Sequence, residues 1–297
     1  MKIGIDIGGS HVGVGLIEND KIIDSEDRIL SRDDRHDVKE SLIGYCLELI
    51  NLLVDRNNIE IKDIELIGIA VPGDIRNGLI EKSDNLGLYN FDIVSRLKKF
   101  FDIPVQIRND AKCAGLAEMQ FGAMKGYKDG VFLCIGTGIG GAVFLDGKLL
   151  KNANAFEIGH MIINKNGRQC SCGKRGCFET YASIRAFKNK VAEVLDIDND
   201  FSGQYLRENL LDFDNPKVKE VIDQFIDDMI VGLSNVIDIF EPEVIVLGGS
   251  FSYYENHPVF LELLRRIKEK GRVRCERLPE IKLARFKNEA GIIGATV

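Results

Sequence analysis

The chain of 297 residues contains no apolar run approaching the roughly 20 residues a membrane-spanning helix needs, so neither a membrane anchor nor a membrane partner is expected. An excess of basic residues is also missing. Lysine and arginine number 39 against 46 acidic residues, for a formal net charge of -7 and a sequence pI of about 5.3. A nucleic-acid surface needs clustered positive charge to displace counterions, and here the basic residues alternate with acidic ones. The stretches Ser31 to Glu40 and Arg265 to Lys270 therefore read as solvated faces, and nucleic acid is not an expected partner. No Gly-Lys-Ser or Gly-Lys-Thr follows a glycine turn, which excludes a Walker loop. GTGIGG at 136–141 runs into a strand-like segment where a dinucleotide fingerprint needs a helix. The opening MKIGIDIGGS starts directly on a strand pattern with no apolar leader or transit segment, so a soluble protein in the reducing cytoplasm is expected.

What is present starts with thiols. Cys170, Cys172 and Cys177 lie within eight residues, just downstream of His160. Three thiolates and one neutral imidazole form a closed tetrahedral set that suits zinc and leaves no open coordination position, so the ion is expected to be structural. A disulfide is one alternative, but it needs an oxidising compartment. Buried core thiols are another, but they would be spaced along a strand or helix rather than bunched around Gly173 and Gly176, which permit tight turns. Of the seven cysteines, the other four, Cys46, Cys113, Cys134 and Cys275, stand among apolar neighbours as ordinary core thiols. Glu157 and Glu179 flank the cluster and outline a small polar pocket.

At this length two domains are expected. Lys2 to Ile7, Val12 to Ile17 and Lys21 to Asp24 read as a three-stranded meander. Val38, Leu42, Cys46, Leu49 and Leu53 recur at helical spacing, and Leu66 to Val71 is a strand closed by Pro72-Gly73. Val105 to Ile107 is a short strand, and Ala111 to Phe121 a helix. Val131 to Leu150 then repeats the plan of Lys2 to Ile23, so the chain reads as two related halves. A long amphipathic helix carries Val218, Val221, Ile222, Phe225, Met229, Leu233, Val236 and Phe240, and a strand from Glu243 to Leu247 ends in Gly248-Gly249-Ser250.

Three strand-end glycine turns suggest a nucleotide, because backbone without side chains can approach a phosphate and aim several amides at it. Ser10 and Thr137 add hydroxyl donors. Each turn alone is equally consistent with a plain hairpin or bulge. Asp6 lies inside the first strand, where a core-facing charge would be costly; at the strand end it could hold magnesium beside phosphates, or stand as an edge aspartate. Asp110 at a strand-to-helix junction is either a helix N-cap or a general base for a hydroxyl, with Asn109 orienting the substrate. The metal-tethered pocket and the phosphate turns favour the base.

Taken together, six segments resemble the ROK family of repressors, open reading frames and sugar kinases, in order and over nearly the whole chain. They are DIGGS at Asp6 to Ser10, Asn109-Asp110, GTGIGG at Gly136 to Gly141, EIGH at Glu157 to His160, CSCGKRGCFE at Cys170 to Glu179 and EVIVLGGS at Glu243 to Ser250. The resemblance implies an α/β protein of the actin-like (ribonuclease-H-like) ATPase fold, two related α/β domains around a central cleft. The smaller would cover 1–110, with about 285–297 able to return to it; the larger, 111–297, would carry the zinc site. It also implies ATP, Mg2+ and structural Zn2+, a hexose or N-acetylhexosamine substrate, and a homodimer.

By the same resemblance Asp110 is the general base, and Asn109, Glu157, His160 and Glu179 hydrogen-bond the sugar. His160 would serve twice, one ring nitrogen on zinc and the other on sugar. Where the family carries Pro-Asn-Leu, this chain reads Ser83-Asp84-Asn85-Leu86, which makes Asn85 a further candidate contact. Gly8, Gly9, Ser10, Gly136, Thr137 and Gly138 would hold the phosphates, Asp6 would lie near magnesium, and Gly248, Gly249 and Ser250 would lie against adenosine. Three departures stand out: Ser10 replaces the usual threonine, the segment 152–156 is shorter than the family's loop, and the chain stops at Val297 soon after Gly294. The expected activity is ATP-dependent phosphorylation of a hexose, at the 6-hydroxyl of glucose or an N-acetylhexosamine. The alternative is a non-catalytic sugar-sensing protein of the same fold. The family's repressors carry a winged helix ahead of the DIGGT-like strand, and that strand begins here at Lys2, which favours the kinase.

Overall fold

β-Branched residues alternating with glycine build the first hairpin. In the computed structural model, which describes residues 1–31, 33–150, 157–270 and 278–297, β1 (Lys2–Ile7) and β2 (His11–Glu18) pair antiparallel, and β3 (Lys21–Ile29) continues the meander. After the helix α1 (Val38–Arg56), β4 (Leu66–Val71) adds parallel to β1. A separate antiparallel sheet follows, made of β5 (Asp74–Arg76), β6 (Leu79–Ser83) and β7 (Leu88–Phe91). The short helix α2 (Ile93–Leu97) then leads to β8 (Val105–Asn109), which completes the order β3-β2-β1-β4-β8. Ile3, Ile5, Ile7, Ile67 and Ile69 are buried, and Leu42, Cys46, Leu49 and Leu53 close over them from α1, the face set by their helical spacing.

β3 runs five residues past the expected Asp24. It is an edge strand whose burial alternates between exposed and partial, so Asp24, Glu26 and Arg28 hide it from hydrophobic periodicity. Their charges are tied to α1. The Arg56 guanidinium donates to Asp24 at 2.5 and 2.8 Å and to Glu26 at 3.0 Å, and Arg28 donates to Glu48 at 2.8 Å.

α3 (Asp110–Phe121) precedes the second sheet, where β9 (Gly130–Ile135), β10 (Ile139–Leu145) and β11 (Lys148–Leu149) repeat the meander. The helices α4 (Glu179–Ala182), α5 (Ile184–Leu195), α6 (Gly203–Tyr205) and α7 (Pro216–Phe240) follow, then β12 (Val244–Gly248), α8 (Pro258–Lys270) and β13 (Glu280–Leu283). The order β11-β10-β9-β12-β13 has the plan of the first sheet: three antiparallel strands, then two parallel. α7 starts on Asn215 as N-cap with Pro216 in the first turn, and buries Val218, Ile222, Phe225, Met229, Leu233 and Val236. Arg266 on α8 is no solvated charge, since it pairs with Asp223 and Asp227 of α7.

The chain divides into two compact units, the first comprising Met1–Lys125 and Asn288–Val297 and the second the described residues between 126 and 287. The division falls after Lys125 rather than after Asp110, because α3 packs on α9 (Ala290–Ala295) within the first unit. Small residues make that contact: a Cβ at Gly294 would stand 1.7 Å from the Cys113 carbonyl oxygen, and Ala70, Cys113 and Ala295 cluster together. Burial pushes the Cys46 thiol up to about 12, as expected of an inert core thiol. Cys275 lies outside the described residues. No described helix is long and apolar enough to cross a membrane.

Candidate active site and metal centre

The loop after β11 turns back on itself at Gly173 and Gly176, whose φ angles of +88° and +80° favour glycine. Cys170 N donates to the Lys174 carbonyl at 2.9 Å, Gly176 N to that of Arg168 at 2.8 Å, and Ile163 N to that of Gly176 at 2.9 Å. The resulting knuckle brings one ligand atom each from His160, Cys170, Cys172 and Cys177 within 4.8 Å of one another. Cys172 Sγ and Cys177 Sγ are 3.5 Å apart, and Cys170 Sγ lies 3.6 Å from His160 Nδ1. The sulfur pair is too far apart for a disulfide bond of about 2.05 Å. Both separations approach the roughly 3.7 Å edge of a tetrahedron with metal–sulfur bonds of about 2.3 Å. The donor set fits zinc, with Nδ1 as the imidazole ligand. Burial pushes the Cys170 thiol up to about 12, so metal binding here must displace that proton.

Gly176 also has no room for a side chain, since a Cβ would stand 1.6 Å from the Asn164 carbonyl oxygen. Gly176→Ala is therefore expected to lower zinc content and to reduce Tm by roughly 4–8 °C, from about 2 kcal/mol of strain. Elemental analysis and calorimetry check this, and wild-type values in both would contradict it.

The Glu157–His160 segment lies flat on β10, where a Cβ at Gly159 would stand 2.0 Å from the Ile139 carbonyl oxygen. His160 N donates to Glu157 O at 2.9 Å, and the Glu157 side chain is exposed. With Nδ1 turned to the sulfurs, His160 Nε2 is the nitrogen left for a substrate. Glu179, expected as a sugar contact, is bound to the cysteine–histidine cluster. Its Oε1 accepts from the Cys170 thiol at 3.1 Å and lies 3.5 Å from His160 Nδ1, while Oε2 accepts from Ile139 N at 3.4 Å. A Cβ at Gly138 would stand 2.6 Å from Oε2, so Glu179 joins the metal centre to the 136–138 turn.

In the first unit the capping role falls to Asn109, not Asp110. Asn109 Oδ1 accepts from Lys112 N at 3.2 Å, and its Nδ2 donates to the Gly73 carbonyl at 3.2 Å. Asp110 opens α3, with Oδ1 accepting from Ala111 N at 2.8 Å. Burial holds the Asp110 carboxyl above the ordinary range, against hydrogen bonds from Ala111, its own amide and Asn109 that lower it. Asp6, the penultimate residue of β1, is pushed up to about 7, by burial first and then by the charge of Asp110. Neighbouring carboxylates that resist ionisation suit proton transfer and cation binding. Gly8, Gly9 and Ser10 form the β1–β2 turn, closed by Gly8 N donating to His11 O at 2.9 Å, with Ser10 exposed. Asn85 is exposed in the β6–β7 turn, and its Cβ is 3.9 Å from where Gly9 would carry one.

The second unit's turns are less alike. Gly136 N donates to Gly138 O at 3.0 Å, Thr137 is exposed, and Ser250 Oγ lies 3.8 Å from where Gly136 would carry a Cβ. Gly249 has φ of +64°. Gly248 is buried in β12, where a Cβ would meet the Phe132 ring at 2.4 Å, so its bareness serves packing and leaves Gly249 and Ser250 as the open part of that turn. The short segment 152–156 lies outside the described residues. Sequence reasoning missed Gly291, which abuts Asp6; a glycine at the second position of the terminal run AGIIGA was the signal available.

Two sheets of one plan, each opening on a glycine hairpin, define the actin-like, ribonuclease-H-like ATPase fold. The chain belongs to the ROK family, which matches residues 2–297. It is 29% identical to a xylose repressor of Caldicellulosiruptor bescii, over 98% of this chain and 76% of that protein. It is 28% identical to a glucokinase of Halalkalibacterium halodurans, over 98% and 92%. Among solved structures, the ROK hexokinase from Thermus thermophilus superposes with a TM-score of 0.79 at 27% identity, over 99% and 96% of the two chains. The family thus contains both sugar kinases and repressors.

Proposed function

We propose that the protein is an ATP-dependent sugar kinase that transfers the γ-phosphate to a hexose hydroxyl, the 6-hydroxyl of glucose or of an N-acetylhexosamine. The observation that carries this is Asp110, a half-buried carboxyl of raised pKa at the start of α3, where Asn109 takes the capping role. Asp110 accepts the proton of the sugar hydroxyl as its oxygen attacks the γ-phosphorus, and ADP leaves. Asn109, Glu157 and His160 hold the sugar ring, with Glu179 beside them and Asn85 a further contact. Zinc, held by His160 and the three cysteines, supplies rigidity there. The amides of Gly8 to Ser10 and Gly136 to Gly138, with the Ser10 and Thr137 hydroxyls, bind the phosphates, and Gly249 and Ser250 lie against the nucleoside. Asp6 would hold magnesium, which neutralises phosphate charge when bound.

Asp110 works as a base only when ionised, and its raised pKa means ionisation is lost while pH is still above the roughly 4 of an ordinary aspartate. The acid limb of kcat is expected to be displaced toward neutrality, and a rate unchanged down to pH 4 would contradict the assignment.

The resemblance to xylose repressors favours a second reading, a sugar sensor without transfer. ADP release with Mg2+ and ATP across a panel of hexoses and N-acetylhexosamines separates the two. A sugar-dependent rate supports the kinase; sugar binding without turnover supports the sensor.

A further inference from the structure

Bare glycine lets α9 meet its neighbours closely at five places, Gly4, Gly15, Gly68, Gly291 and Gly294; at Gly15 a Cβ would meet the Ile292 Cγ2 methyl at 2.6 Å, and Gly291 alone faces a charged side chain. Cβ atoms at Gly4, Gly68 and Gly294 would meet the carbonyl oxygens of Ile292, Ala295 and Cys113 at 2.1, 2.0 and 1.7 Å. Those three contacts are backbone against backbone, and nothing in them can yield without moving β1, β4 or α3. Gly291 instead faces a side chain: its Cβ would stand 2.3 Å from Asp6 Oδ2, 2.5 Å from Cγ and 2.9 Å from Oδ1. The whole Asp6 carboxylate thus occupies the space a side chain at 291 would fill. Cγ itself stands 2.5 Å away and lies on the χ2 axis, so a methyl group there displaces the carboxylate by rotation about χ1, a side-chain movement rather than an unfolding of the chain.

We propose that Gly291 is a positioning residue for Asp6: its bare Cα lets the carboxylate rest against the first turn of α9 and so fixes where Asp6 presents its oxygens. This rests on the kinase assignment in giving Asp6 the magnesium and phosphate side of the reaction. Gly291 touches no substrate and acts through Asp6 alone. A side chain at 291 therefore damages handling of magnesium nucleotide and spares the sugar, which is held by other residues.

Calorimetric titration of Mg·ADP and, separately, of the sugar identified by the ADP-release panel tests this in wild type, Gly291→Ala, Asp6→Asn, the double variant and Gly294→Ala. Gly291→Ala is expected to stay folded and to weaken Mg·ADP binding by roughly tenfold to a hundredfold, the range for replacing a partner that orients a metal ligand. Sugar affinity should not change, and adding Gly291→Ala to Asp6→Asn should bring no further loss. Gly294→Ala, meeting backbone, should lower Tm steeply. Unchanged Mg·ADP affinity, an equal loss in the Asp6→Asn background, or unfolding as severe as that of Gly294→Ala would each overturn the proposal. Absence of Mg·ADP binding by wild-type protein would instead remove the kinase assignment. Crystals of Gly291→Ala would then decide the positioning claim, a displaced Asp6 carboxylate supporting it and an unmoved one overturning it.

Discussion

Asp110→Asn is expected to lower kcat for sugar phosphorylation by about 10³-fold, within the range that a positioned general base contributes, while sugar affinity stays near wild type. The amide matches the carboxylate in shape and keeps an oxygen to accept from Ala111 N, so α3 still begins where it does. Only the proton acceptor is lost. The change also removes the charge that helps hold Asp6 high, so Asp6 ionises more readily and magnesium nucleotide should bind no worse. A kcat effect with both affinities preserved distinguishes a lost base from a damaged pocket. Wild-type turnover would remove Asp110 from the mechanism.

Cys172→Ser is expected to give the second largest effect, on the other substrate parameter. Cys172 is exposed, so exchanging sulfur for oxygen leaves the core intact while one of the four proposed zinc ligands is weakened. Structural zinc contributes to folding free energy directly, and besides it the loop from Arg168 to Gly176 is held by its own hydrogen bonds and by contacts of Arg168 with Thr180 and Tyr181, of Cys170 with Glu179 and of Gly176 with Ile163. Zinc content should fall well below stoichiometric and Tm should drop. The KM for sugar should rise by roughly tenfold to a hundredfold, as for other losses of a ligand's orienting partner. The KM for ATP should rise less than that for sugar: the 136–138 turn is tied to the cluster through Glu179, but the proposed phosphate amides of Gly8 to Ser10 lie in the other compact unit. Full zinc content by elemental analysis would contradict the ligand set.

Much of this was legible in the chain. β1 and β4 declare themselves as short, near-continuous buried apolar runs, and α7 by the helical period of its buried residues. The clustering of His160 with the three cysteines was legible because all four side chains lie within 18 residues of sequence, so local turns suffice to assemble it. What escaped did so for physical reasons. β3 carries its charges on an edge, and the β5–β7 sheet consists of three- to five-residue strands rich in polar residues, too short to show a period. α3 begins at Asp110 rather than Ala111, because Asn109 caps it through a hydrogen bond that spacing does not reveal. The second role of Glu179, the packing role of Gly248 and the contact of Gly291 with Asp6 are all made across space. They depend on which backbone lies against which, and no window of sequence contains both partners.

The central claim is phosphoryl transfer to a sugar, and the product tests it most directly. Phosphorus NMR of a reaction containing wild-type protein, Mg2+, ATP and the responding sugar should show a sugar phosphate resonance growing in step with ADP, absent with Asp110→Asn. ADP and inorganic phosphate without a sugar phosphate, or unchanged ATP with every sugar tested, would contradict it.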